Sequence, residues 1–192
     1  MAVTSIVNKL KSGSLLVGNT AYDPAYFISI ATFALTTNTT SVTFSSIPQT
    51  YKHLQVRIYG KSEGITYPTD NLQISFNGSS TSGDYASHYL LSSGSAASSG
   101  ARTTWGDGLF NMVGRNGTWG SCVVDFLDYT STNKFATVRG IGGSDANGSG
   151  NVALSSVLWH PSSPAAITSI TLDPNGNTWS SGSHIALYGI KG

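Results

Sequence analysis

The chain has 192 residues, 39% hydrophobic and only 10% charged, with ten Lys and Arg against nine Asp and Glu for a formal charge of +1. That length suits one ordinary domain core, and a charge so near zero leaves no electrostatic footprint for nucleic acid or an anionic membrane. The single cysteine, Cys122, excludes an internal disulfide framework and zinc-ribbon geometry.

Residues 1–26 read as an N-terminal arm, extended or briefly helical. Thr4 is a potential N-cap, and Ile6, Val7 and Leu10 follow at weak helical spacing, but the run is too short to be stable alone. Gly13, Gly18 and Pro24 interrupt any longer helix. Together with Leu15, Leu16 and Tyr22, these apolar residues need a surface to dock on, so they are the expected partner-binding residues. The segment holds no continuous apolar run of signal-peptide or membrane-spanning length.

From residue 27 to 192 the dominant signal is alternation with period two, which predicts an all-β domain. Strands are expected at FISIATFAL, SVTFSSI, YKHLQVRIYG, LQISFN, SCVVDFLDY, FATVRGI, VALSSVLWH, AITSITL and HIALYGI, with weaker ones near 86–91 and 104–113. In the third of these, Leu54, Val56 and Ile58 face one way, while His53, Gln55, Arg57 and Tyr59 face water or a partner. SCVVDFL is apolar on both faces, with Cys122, Val124 and Phe126 on one and Val123 and Leu127 on the other, so a second layer or subunit is expected to cover it. The Asn-Gly pairs at 77–78, 116–117, 147–148 and 175–176 suit tight turns with positive φ. Residues 92–104, SSGSAASSGARTT, read as a long exposed loop. The architecture these features predict is an antiparallel β-sandwich, jelly-roll-like, with an immunoglobulin-like sandwich as the alternative.

Few patterns suggest chemistry. Gly60-Lys61-Ser62-Glu63-Gly64 has the spacing of a nucleophile elbow, but that device needs a helix after the serine, and GITYPTDN has no helical spacing. The stretch from Asp145 to Gly150 matches the first half of a calcium loop, yet the twelfth position is Ser156 in place of a bidentate Glu. A turn explains both. His53, His88, His160 and His184 show no ligand spacing, and Asp125 and Asp128 read as hydrogen-bonded structural acids. Trp105, Trp119, Trp159 and Trp179 lie near turns, where they pack in a core or interface, or stack on sugar rings. No catalytic, cofactor-binding or metal-binding residue is expected.

Four blocks in order, VTFSSIPQTYKHLQVR at 42–57, LDYTSTNKFATVRGIGGSDANGSG at 127–150, SSVLWHPSSPAAITSITL at 155–172 and SGSHIALYGIKG at 181–192, give the chain a resemblance. They resemble small structural proteins of tailed bacteriophages, including marine and cyanobacterial phages. The resemblance implies a non-enzymatic β-sandwich virion protein, homotrimeric, assembled in the host cytoplasm and bound to other virion proteins such as major capsid or tail proteins. Capsid decoration and a short fibre or tail module both fit. The alternative role is a receptor-binding tail module that engages host-surface glycans.

Overall fold

The computed structural model describes residues 15–17, 20–22, 26–64, 69–103, 109–115 and 117–192, following only the backbone at 15–17, 20–22 and 109–112. The strands are β1 (Leu15–Val17), β2 (Thr20–Tyr22), β3 (Phe27–Ala34), β4 (Val42–Phe44), β5 (His53–Gly60), β6 (Thr69–Phe76), β7 (Tyr85–Ser92), β8 (Ala97–Arg102), β9 (Leu109–Gly114), β10 (Gly120–Leu127), β11 (Ala136–Asp145), β12 (Gly150–Trp159), β13 (Ile170–Asp173) and β14 (His184–Ile190). An eight-stranded sheet has the order β3-β14-β5-β10-β11-β12-β7-β8, and a four-stranded sheet has the order β4-β13-β6-β9. All their ladders are antiparallel. The chain alternates between the two layers through most of its length, which makes the molecule the expected jelly-roll-like sandwich.

Alternation decides which side chains meet between the layers. Leu54, Val56 and Ile58 of β5 point inward beside Cys122, Val124 and Phe126 of β10 and Ile185 and Leu187 of β14. Val42 and Phe44, Leu72, Ile74 and Phe76, and Ile170 and Leu172 face them from the smaller sheet. Phe76 joins the layers, meeting Phe126 edge-on at 5.9 Å and Trp159 at 5.4 Å between ring centroids. Each fully buried aliphatic or aromatic side chain of this kind stabilises the fold by roughly 1.5–3 kcal/mol. Trp179 closes one end of the core, with Nε1–H donating to the Leu172 carbonyl at 3.3 Å and its ring lying against Gly60.

Three Asn-Gly pairs turn as expected: Asn77 and Gly78, Asn147 and Gly148, and Asn175 and Gly176 all have positive φ. Asn77 does more than turn, because its Oδ1 accepts the backbone N–H of Thr168 at 2.8 Å and of Ser169 at 3.1 Å. Its Nδ2 donates to Ala166 at 2.8 Å, which fixes the approach to β13.

Residues 92–103 are largely exposed, as expected of 92–104, but the structure corrects the reading of a long loop. Ser92 ends β7, a turn at 93–96 reverses the chain, and Ala97–Arg102 pairs along β7 from Ser92↔Ala97 to Ser87↔Arg102. Backbone hydrogen bonds need no apolar side chains, and Tyr89 folds over its cross-strand partner Gly100, supplying the cover that the strand lacks. In the arm, β1 and β2 pair with each other in a ladder separate from both sheets. The helical spacing at Ile6, Val7 and Leu10 lies outside the described residues, as do the side chains of Leu15, Leu16 and Tyr22.

Candidate functional site

Ser62, the serine of the elbow-like spacing, is buried just beyond β5. Its backbone N–H donates to the Gly114 carbonyl and the next residue's to Thr178, so the chain leaves β5 extended and bridged, with no helix begun. Ser62 Oγ donates to Asp70 Oδ2 at 2.8 Å, where Asn177 Nδ2 also donates at 2.8 Å and Arg115 Nε approaches to 3.9 Å. Burial pushes the Asp70 carboxyl above its usual range, and the Ser62 hydroxyl and Arg115 only partly offset this. The group ties the end of β5 to β6 and to the loop before β14. Ser62 Oγ and Asn177 Nδ2 thus clasp the Asp70 carboxylate from two separate loops.

The other sequence candidates are held in turns and strand ends. Asp145 Oδ1 accepts the Gly148 N–H at 2.8 Å, closing the β11–β12 hairpin. Among the described residues no group of three or more His, Cys, Asp or Glu could hold a metal ion. Asp125 accepts from Gln55 Nε2 at 2.8 Å on the neighbouring strand. Asp128, at positive φ after β10, pairs with Lys52 at 2.9 Å and with Lys134, and these two ammonium groups hold its carboxyl down to about 2. His53 accepts the Asp128 N–H at Nδ1, while His88 and His184 are exposed. Burial pushes the Cys122 thiol far up, which leaves it inert. Trp159 and Trp179 are core residues, Trp105 lies outside the described residues, and Trp119 stacks on Tyr59 at 5.1 Å with the Lys61 ammonium over its ring.

What the structure brings together is a surface. The inner face of the eight-stranded sheet packs on the core, and its outer face has no covering layer among the described residues. Register places Val123 of β10, Ile141 of β11, Leu154 of β12 and Leu90 of β7 side by side in one row across that face. Leu90, Ile141 and Leu154 are 58%, 54% and 50% exposed, and Val152 adds another apolar group at 52%. Shallow depressions of about 760 and 690 Å³ flank the row, one by Gly143, Ser92 and Ser121 and the other by Ser156, Ser99 and Ala101. A contiguous apolar strip of this kind marks a protein-contacting surface more often than a solvated one.

Part of this was legible in the sequence. Val123 and Leu127 were expected to lack cover, and both are half-buried on the outer face. Leu90, Ile141, Val152 and Leu154 were missed, and the signal that marks them is the same one, strands that are apolar at odd and even positions alike. Comparison with protein-family models, with curated proteins and with solved structures finds no match to this chain.

Proposed function

We propose that this chain is a non-enzymatic structural component of a tailed-phage virion, a rigid module that binds other protein surfaces of the particle. The observation that carries the binding role is the apolar row Val123–Ile141–Leu154–Leu90 on an open sheet face. The virion setting is supported by the four sequence blocks that resemble phage structural proteins. Docking through the arm residues Ile6, Val7, Leu10, Leu15, Leu16 and Tyr22 belongs to the same proposal. Gold-labelled antibody on intact particles tests it: labelling on heads or tails is expected, and particles free of the protein would refute the reading. In particles, Ile141→Glu is expected to lower occupancy.

A second reading, a receptor-binding tail module for host-surface glycans, draws on the Tyr59–Trp119 stack at the surface. The stack favours it weakly, because Tyr59 and the Lys61 ammonium already lie against the Trp119 ring. Glycan-array binding that is lost in Trp119→Ala would favour this reading over the first.

A further inference from the structure

We infer that the outer face of the eight-stranded sheet docks on a second copy of itself, about a two-fold axis lying in the interface and running across the strands. This deepens the proposed protein-binding role and rests on it. Three observations converge on a second copy as the occupant.

The first is the pattern of large and small residues. One row carries Val123, Ile141, Leu154 and Leu90, and the adjacent row carries Ser121, Gly143, Val152 and Ser92, so large faces small on β10, β11 and β7 but not on β12. An axis across the strands between these rows, at Gly142 of β11 and Ala153 of β12, sets each row over the other. Ile141 then sits over the partner's Gly143, Val123 over the partner's Ser121 and Leu90 over the partner's Ser92, while on β12 Leu154 meets the partner's Val152 as an apolar pair. The hollow at Gly143 is fixed by the backbone, since a Cβ there would meet the Asn151 carbonyl oxygen at 2.1 Å.

The second is charge. The same operation places Arg139 of β11 over the partner's Asp145, and Asp145 over the partner's Arg139. Both side chains are exposed, and among the described residues no ion pair engages Arg139. Asp145 gives Oδ1 to its own turn, which leaves the other oxygen for a partner. A two-fold along β11 would instead oppose Arg139 to Arg139 and Asp145 to Asp145. Charge therefore selects the axis across the strands.

The third is area. Eight strands about 4.8 Å apart and about eight residues long at about 3.3 Å each span at most roughly 900 Å², which leaves room for an interface of up to the roughly 800 Å² per partner of a standard stable complex. Aligned sheets cross at about 30°, so β11 and β12 stay in register at the crossing while the edges diverge.

Light scattering with sedimentation at micromolar concentration tests the inference on the full chain. A dimer of twice the 20.0 kDa chain mass is expected. Ile141→Glu is expected to give a monomer with an unchanged circular-dichroism spectrum. Arg139→Asp alone and Asp145→Arg alone are each expected to weaken self-association by at least about tenfold through like-charge opposition. Mixing these two variants is expected to restore a heterodimer, because both cross-pairs are then opposite in sign; this result does not depend on how either variant affects its own turn. A monomeric wild type, a trimer indifferent to Ile141→Glu, or single variants that dimerise normally and gain nothing on mixing would each overturn the inference. Failure of the broader protein-binding reading shows separately, as particles that take up Ile141→Glu at full occupancy.

Discussion

Two aspartates respond to acid in opposite directions. Asp128 is held at about 2 by Lys134 and Lys52, below its ordinary 3.8, so its contribution is fully present above 3.8 and is lost as pH falls towards about 2. Asp70 is shifted upward by burial, so the folded state binds its proton first and gains stability as pH drops towards 3.8 from above. Asp128→Asn, which keeps a residue tolerant of positive φ, is expected to lower stability at neutral pH and to give a shallower loss below 3.8. Asp70→Asn is expected to show the reverse signature, a steeper loss between neutral pH and 3.8. Urea unfolding across a pH series measures both slopes.

At the scale of elements, two glycines in strands separate close approach from simple cover. A Cβ at Gly143 would strike the backbone of β12, whereas one at Gly100 would meet only the movable ring of Tyr89, with the hydroxyl 2.5 Å away. Gly143→Ala is therefore expected to cost about 1–3 kcal/mol by overpacking, and Gly100→Ala no more than about 0.5 kcal/mol as an ordinary surface change. Denaturant midpoints at constant slope report the difference. The same contrast explains what could be read in advance. HLQVRIYG announced β5 because only one of its faces is buried, and the Asn-Gly turns followed from local chemistry alone. β8 was invisible, since ASSGAR has no alternation and its cover comes from Tyr89 on another strand. Gly60-Lys61-Ser62-Glu63-Gly64 was read as a turn, but the pairing of Ser62 with Asp70 and Asn177 was not legible, because it depends on loops far apart in sequence. The outer row was half legible: double-sided apolar strands were evident, but which face is left open depends on where the four-stranded sheet lies.

Among the described residues, the buried hydrophobic core runs from Val42 onward, with Ile30 the first partly buried side chain packed against it. Deleting residues 1–20 is accordingly expected to leave the thermal transition nearly unchanged while reducing incorporation into particles. Scanning calorimetry and particle occupancy measure the two effects independently.

The position of β14 carries a different consequence. The strand spans His184–Ile190, far along the chain from β3 and β5, yet it lies between them and hydrogen-bonds to both. Until it arrives, β5 has a free edge and β3 has no place in the sheet, so the nascent protein carries two unsatisfied strands until residue 190 has been made. Closure is thus a late, long-range event, which favours slow folding and exposes the intermediate to mispairing. Ending the chain before His184 is expected to yield aggregated protein. Supplying the missing strand as a separate peptide during refolding is expected to recover soluble material, as judged by sedimentation, because the peptide can pair with the open edge of β5 and then bring β3 onto the sheet.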